Sequence, residues 1–191
     1  IHRTDQNIRS GSWVRPMGQL LYGKTVGLIG CGRIGRNVAT LLRSFGCNIL
    51  GYDPVPNEHE HISYVSLEKL LKSSDIVSLH LPYSTENHHL IDANIIALMK
   101  KDACLINTSR GGLVDEDALY YALQKGFIKG AALDSFEQEP YNGSLINIEN
   151  ALLTSHIGSY AKEGRVFMEK QAVENLIIEG IEDDLWNPQD E

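Results

Sequence analysis

The sequence has only three cysteines, no lysine- or arginine-rich cluster, and no hydrophobic run long enough to cross a membrane. Cys31, Cys47 and Cys104 lie in or beside apolar segments without the paired spacing of a zinc site or a disulfide framework, so we expect reduced core residues. The net charge of -8 argues against nucleic acid or an acidic membrane surface as a partner. The first residues do not form a signal peptide, and we therefore expect a cytoplasmic protein.

The length of 191 residues and the 42% hydrophobic content suit one α/β domain with short appendages. We expect a hinge-helix remnant or entry segment over residues 1–17, the domain over residues 18–181, and an acidic tail over residues 182–191. The chain does not begin with methionine, which suggests a piece of a longer protein.

A glycine motif follows the first apolar run of the chain. Gly30, Gly32 and Gly35 form the pattern G-x-G-x-x-G, in which the first glycine permits a tight turn, the second admits a pyrophosphate, and the third lets a helix pack on a strand. Apolar residues before and after the motif predict a strand and then a helix, the latter from Ile34, Val38, Leu41, Leu42 and Phe45. This unit predicts dinucleotide binding.

An acidic residue ends the next predicted strand, about 20 residues beyond the glycines. Asp53 can accept hydrogen bonds from both adenosine ribose hydroxyls, and it would repel the 2′-phosphate of NADP. The following residues, 54–60, include no arginine to neutralise such a phosphate. The sequence therefore favours NAD as the cofactor.

Strands and helices alternate along the rest of the chain. Further strands are predicted near residues 76–80, 104–107, 130–133 and 152–154, with helices between them that begin at Ser66, Asp92 and Asp115. This alternation predicts a Rossmann-type, doubly wound parallel sheet. A final helix over residues 162–181 shows a predicted core stripe of Val166, Val173, Leu176, Ile177 and Ile181.

Four polar residues follow the later predicted strands. Since the carboxyl ends of parallel strands share one edge, we expect Arg110, Asp134, Glu139 and His156 beside the cofactor. His156 can carry a proton near neutral pH, and Glu139 can stabilise the imidazolium and fix its tautomer. Arg110 can hold a substrate carboxylate in a bidentate clamp and polarise its carbonyl group.

Two pairs of histidines lie outside this pattern. His59 and His61 stand in a polar loop, and His88 and His89 are adjacent in another. Nothing near either pair along the sequence completes a metal site. We expect solvated loop histidines and no metal.

These residues resemble the NAD-binding domain of the D-isomer-specific 2-hydroxyacid dehydrogenases, and most closely the D-3-phosphoglycerate dehydrogenase branch. Six ordered blocks over nearly the whole chain carry the resemblance: residues 23–35, 51–54, 80–82, 107–116, 132–140 and 154–159. Two departures from the family pattern are residues 83–87, which affect expected cofactor contacts, and Ser135, where valine is usual. Glu139 argues against the formate dehydrogenase branch, in which glutamine is expected.

The resemblance implies hydride transfer between NAD(H) and the 2-position of a small D-2-hydroxy or 2-oxo acid, with 3-phosphoglycerate among the candidate substrates. It also implies a homodimer formed through the cofactor domain. Members of the family have a separate substrate domain, for which this chain has no room. We therefore expect little or no activity from the fragment. The resemblance implies a catalytic triad of Arg110, Glu139 and His156. The implied cofactor contacts are Gly30, Gly32, Arg33, Ile34, Gly35, Asp53, His80, Pro82, Thr108, Arg110, Asp134 and His156.

Two other readings stay open at this point. An NADH-sensing module of the transcriptional corepressor kind resembles the same family and keeps the same triad. A homocysteine-forming hydrolase would share the glycines, but it does not explain Arg110, Glu139 and His156 together.

Overall fold

The computed structural model describes residues 2–182, and the side chains of residues 4–177. Seven parallel strands form one sheet in the order β3-β2-β1-β4-β5-β6-β7. The strands are β1 (Thr25–Ile29), β2 (Asn48–Tyr52), β3 (Ser63–Tyr64), β4 (Ile76–Leu79), β5 (Cys104–Asn107), β6 (Gly130–Leu133) and β7 (Ala151–Leu153). The helices are α1 (His2–Arg9), α2 (Arg33–Ser44), α3 (Leu67–Ser73), α4 (Ala93–Ala97), α5 (Glu116–Lys125) and α6 (Lys162–Glu182).

This sheet confirms the predicted doubly wound α/β fold. The strand order reverses at β1, which pairs with β2 on one side and with β4 on the other. Ligands of open α/β sheets bind beyond the carboxyl ends of the strands at such a switch point. The sequence patterns do not predict β3, because two residues are too few to show a period.

Side-chain caps fix where three helices begin. Ser66 Oγ accepts a hydrogen bond from the Lys69 amide at the start of α3 (3.3 Å). Asp92 accepts one from the Ile95 amide before α4 (2.8 Å), and Asp115 does the same before α5. A cap of this kind contributes about 1 kcal/mol. All three predicted helix starts are confirmed.

The core lies on both faces of the sheet. One cluster surrounds Leu70, Leu79, Leu105 and Leu119, each fully buried, and a smaller one lies beneath α2. Helix α2 is confirmed, but the residues that it buries fully are Gly35 and Ala39. Val38 and Leu42 are partly buried against the smaller cluster, whereas Ile34 and Leu41 are each 64% exposed and Phe45, just after the helix, is 61% exposed. Small residues let the helix approach the strands closely.

The predicted core stripe of the last helix is wrong where the structure describes it. Helix α6 forms at the predicted position, but Val166, Val173, Leu176 and Ile177 are all exposed. Apolar spacing shows which side of a helix favours burial, but it does not show which surface will cover that side. The side chain of Ile181 and the predicted acidic tail beyond Glu182 lie outside the described residues.

The segment before β1 contains no helix or strand between Arg9 and Thr25. It carries exposed apolar side chains, including Trp13 (75%), Met17 (98%) and Leu20 (79%). Among the residues that the structure describes, no helix combines the length and the apolar character needed to cross a bilayer.

Candidate dinucleotide and catalytic site

The glycine motif forms the turn between β1 and α2. Gly30 has φ +94°, a conformation that favours glycine, and a Cβ atom there would lie 2.7 Å from the carbonyl carbon of His80. A Cβ atom on Gly35 would lie 2.2 Å from the Gly30 carbonyl oxygen. These two glycines are therefore required by the packing of the turn itself.

The middle glycine has a different role. No heavy atom lies within 4 Å of a Cβ built on Gly32, so the space beside it is open. Gly32 is the N-cap of α2 and has no side chain to satisfy the first amides, and the first turn contains no acidic residue. Arg33 and Ile34, which follow, are exposed. An open space before free N–H groups fits a pyrophosphate.

Asp53 is held beside this turn. Its Oδ2 accepts a hydrogen bond from the Cys31 amide (2.7 Å), and its Oδ1 accepts one from the Val55 amide (2.9 Å). Burial, followed by the charge of Asp53, raises the pKa of the Cys31 thiol to about 11, so this thiol stays protonated. A carboxylate oriented by two backbone amides is preorganised to accept hydrogen bonds from a diol.

His80 lies at the end of β4, across the switch point from the glycine turn. Its Nε2 is 3.0 Å from Ser78 Oγ, and its amide donates to the Ile29 carbonyl (2.8 Å). Burial lowers the pKa of His80, which favours a neutral imidazole. Pro82 follows two residues later, at the entry to the loop after β4.

A buried asparagine shapes the loop that carries Arg110 at the end of β5. Asn107 Nδ2 donates to the Arg110 carbonyl (2.8 Å), and Asn107 Oδ1 accepts from the Ser109 amide (3.0 Å). Ser109 Oγ donates to the Leu79 carbonyl on the neighbouring strand (2.7 Å). Thr108 and Arg110 are left exposed on the outside of this turn.

Gly111 brings two loops into direct contact. A Cβ on Gly111 would lie 1.8 Å from the Phe136 carbonyl carbon and 2.2 Å from the Glu137 nitrogen. The backbone after Arg110 therefore packs against the backbone that leads to Glu139. No other residue type fits this contact without moving one of the loops.

Asp134 holds the loop that carries His156. Its Oδ1 accepts hydrogen bonds from Thr154 Oγ1 (2.6 Å) and the Ile157 amide (3.0 Å), and its Oδ2 accepts one from the Gly158 amide (2.9 Å). Burial raises the pKa of Asp134, but these hydrogen bonds outweigh it and hold the pKa below its usual value. A contact between Asp134 and nicotinamide stays a prediction.

His156 and Glu139 form a hydrogen-bonded pair. His156 Nδ1 lies 3.0 Å from Glu139 Oε2 and 3.1 Å from Oε1. The hydrogen bond from His156, followed by that from the Phe136 amide, holds the pKa of Glu139 below its usual value. An ionised carboxylate can only accept, so Nδ1 carries a proton and Nε2 is left to face a ligand. His156 adopts φ +56°, an uncommon conformation for a residue other than glycine.

Arg110 is the member of the predicted triad that the structure does not bring into hydrogen-bond contact with the other two. Its guanidinium donates to the Ser109 carbonyl (2.7 Å). Sequence reasoning missed Asn107, Ser109 and Thr154, which orient the predicted residues. Their signal was a polar residue at or just after the end of each strand, where an apolar one would be usual.

The parallel sheet, the glycine turn and the polar residues beyond three neighbouring strands define a dinucleotide-binding domain of the oxidoreductase type. The family model for the D-isomer specific 2-hydroxyacid dehydrogenase NAD-binding domain matches residues 1–158. The chain belongs to this family and is an NAD-binding domain, which confirms the predicted family and cofactor.

Curated relatives carry more than one activity in their names. The chain is 43% identical over 189 residues to a glyoxylate reductase of Korarchaeum cryptofilum. The match covers 93% of this chain and 57% of that protein. It is 42% identical over 173 residues to a D-3-phosphoglycerate dehydrogenase of Methanocaldococcus jannaschii, where 86% of the chain matches 33% of the relative. The chain therefore spans about half the length, or less, of these relatives.

A solved structure resembles the chain closely. The D-lactate dehydrogenase of Aquifex aeolicus, complexed with NAD and lactic acid, has a TM-score of 0.82 and 34% identity. The similarity covers 93% of this chain and 61% of that one.

Proposed function

We propose that this chain is the cofactor domain of an enzyme that transfers a hydride between NAD(H) and C2 of a small D-2-hydroxy acid or 2-oxo acid. The observation that carries the proposal is the His156–Glu139 pair, whose free Nε2 lies at the same edge of the sheet as the glycine turn. A proton carrier beside a nicotinamide site is what reduction of a ketone requires.

The chain's residues supply the remaining parts of the reaction. Bound NADH supplies the hydride. In the reductive direction His156 Nε2–H donates a proton to the carbonyl oxygen, and Glu139 stabilises the protonated imidazole beforehand. Among the described residues the exposed Arg110 guanidinium bonds only to a main-chain carbonyl, so it can turn towards the substrate and bind its carboxylate with two parallel hydrogen bonds.

Other residues of the chain would bind different parts of the cofactor. Gly30, Gly32 and Gly35, with the amides of Arg33 and Ile34, take the pyrophosphate, and Asp53 takes the adenosine ribose. His80, Pro82, Thr108 and Asp134 line the nicotinamide side. The carboxylate of Asp53 disfavours a 2′-phosphate, so we infer a preference for NAD over NADP.

The substrate is a small acid whose C2 is a carbonyl or an alcohol. The names of the relatives support glyoxylate and its close analogues first, and phosphoglycerate second. The residues that would choose among glyoxylate, hydroxypyruvate, phosphoglycerate and D-lactate belong largely to a second domain that closes over the nicotinamide. This chain alone should bind NADH and turn over these acids slowly or not at all, because His156 (45%) and Glu139 (39%) stay exposed.

The test separates binding from chemistry. NADH is titrated into this chain by fluorescence, and the whole enzyme is assayed with NADH on a panel of 2-oxo acids. We expect this chain to bind NADH. We expect only the whole enzyme to turn over at least one of the acids. Turnover by the chain at rates typical of enzymes would contradict the role of a second domain. An inactive whole protein that still binds partners in an NADH-dependent way would instead identify a sensor of the corepressor kind.

We also propose a homodimer through the cofactor domain, in the cytoplasm. The exposed apolar side chains of Trp13, Met17 and Leu20 support the proposal, because a second copy of the chain could cover them. The three free cysteines suit a reducing compartment. Light scattering of the chain at several concentrations tests the dimer, and a monomer at all of them would contradict it.

A further inference from the structure

The loop after β4 and the loop after β6 bring two histidines and a glutamate together. His88 and His89 lie in the first loop and Glu137 in the second, 48 residues beyond His89. One donor atom from each lies within 4.8 Å of the others. The sequence argument considered only neighbours along the chain, so it did not find Glu137, which is distant in sequence.

Both imidazoles face the same carboxylate oxygen. His89 Nε2 lies 2.7 Å from Glu137 Oε1, and His88 Nδ1 lies 3.8 Å from that oxygen. In a tetrahedral zinc site with bonds of about 2.0–2.1 Å, neighbouring ligand atoms are about 3.3 Å apart. One distance must lengthen and the other shorten, each by about half an ångström. Rotation of side chains alone can supply such changes.

The backbone around these side chains is fixed by other contacts. The His89 amide donates to the Gly112 carbonyl (2.8 Å), with His89 at φ +53°. The Glu137 amide donates to Glu116 Oε1 (2.9 Å). The rings of His88 and His89 stack with centroids 3.8 Å apart and planes at 24°. The lone pairs of near-parallel rings do not converge on one point, so the His88 ring must turn for both rings to bind one ion. In turning, His88 Nδ1 gives up a long contact with the Tyr83 hydroxyl (3.3 Å).

We propose that His88, His89 and Glu137 form a binding site for a zinc-class divalent cation, with water as the fourth ligand. Two imidazole nitrogens and one carboxylate oxygen suit Zn²⁺, Co²⁺ or Ni²⁺, whereas Mg²⁺ and Ca²⁺ prefer oxygen ligands throughout. The three side chains remain 34–46% exposed, which leaves room for an ion to enter and for a bound water.

This site is separate from the proposed catalytic pair. Glu137 is two residues from Glu139, but its carboxylate meets His89, while Glu139 meets His156. A bound ion would join the loop after β4 to the loop that carries Glu139. It would therefore stabilise the fold, because an ion that binds only the native state favours that state.

The experiment uses the tag-free, metal-stripped chain. Zn²⁺ and Co²⁺ are titrated by calorimetry, with Mg²⁺ as the hard-cation control, and Co²⁺ binding is also followed by visible absorption. We expect one zinc per chain, no comparable heat with Mg²⁺, and an affinity loss of about tenfold or more in His88→Gln, His89→Gln and Glu137→Gln. Zinc should also raise the melting temperature of the wild-type chain, and raise it less in these variants.

The chain contains a matched control. His59, Glu60 and His61 form a second group of two histidines and a glutamate, with ring centroids 5.6 Å apart at 76°. The double variant His59→Gln/His61→Gln should bind zinc as the wild type does. Unchanged binding in the His88 and Glu137 variants, an equal loss in the control, or no zinc binding by the wild type would overturn the proposal. NADH titration of each variant shows that it is folded, and His88→Gln, at a half-exposed position, is the variant least able to disturb the fold.

Discussion

The two ends of the candidate site are built in different ways. At the β1–β2 end, glycines and main-chain amides form the surface, and the residues involved lie between positions 30 and 55. At the β5–β7 end, side chains form it, and the pairs that join the segment after β6 to the loop after β7 are 17–24 residues apart. The β1–β2 end is an open main-chain surface that fits a nucleotide. The β5–β7 end is a set of groups that can move a proton.

This difference indicates where each kind of mutation should act. Changes at the β1–β2 end should alter the turn itself or the affinity for the dinucleotide. Changes to Glu139 and His156 at the β5–β7 end should lower turnover far more than they lower stability or NADH affinity. Asp134 is the exception, since it is a buried structural residue within the chemical end.

The largest expected effect is on turnover. His156→Asn keeps a donor near the position of Nδ1 and tolerates the left-handed backbone, but it removes the proton carried at Nε2. In the whole enzyme we expect kcat to fall by about 10²- to 10⁴-fold, with a much smaller change in NADH affinity. Glu139→Gln should lower kcat by less. If His156→Asn weakened NADH binding as much as turnover, the division between the two ends would not hold.

The second effect separates two glycines of one motif. Gly35→Ala places a Cβ 2.2 Å from the Gly30 carbonyl oxygen, so we expect a loss of about 3 kcal/mol in the free energy of unfolding. Gly32→Ala meets no atom, so it should unfold much as the wild type does and bind NADH more weakly. Urea denaturation and NADH titration measure the two quantities. Equal destabilisation by both variants would contradict the open space beside Gly32.

The third effect concerns the ribose. Asp53→Ala removes an oriented carboxylate, and we expect NADH affinity to fall by about 2 kcal/mol, roughly 30-fold. Glu58→Ala, in the exposed loop that follows, is the matched control and should change little. Titration of both variants with NADH and NADPH also tests the cofactor preference. Equal NADH affinity in Asp53→Ala and the wild type would remove the ribose assignment.

The sequence predicted the features that depend on local pattern. The glycine turn, the strand ends and the caps at Ser66, Asp92 and Asp115 each lie within a few residues of the signal that predicts them. Arg110, Glu139 and His156 were predicted because parallel strands bring their ends to one edge. That argument gives an edge and not a distance, so it could not show that the Arg110 guanidinium bonds to the Ser109 carbonyl and not to the other two side chains.

Long-range contacts account for what was missed. Glu137 meets His89 across 48 residues, and no spacing rule connects them. Helix α6 shows the same limit, since its apolar stripe was visible in the sequence but the exposure of that stripe was not. The division of the chain at residues 17 and 181 stays a prediction.

The smallest expected effect concerns protonation of Asp134, the structural carboxylate at the chemical end. Its native pKa lies below the unfolded value of about 3.9, so its ionised form contributes stability that is complete above that range and is lost as pH falls through the native pKa. Asp134→Asn keeps one acceptor and lacks the charge. The free energies of unfolding of the wild type and this variant should therefore differ most near pH 6 and converge as the pH falls below about 4, as measured by urea denaturation. A constant difference over that range would mean that the hydrogen bonds from Thr154, Ile157 and Gly158 do not depend on the charge.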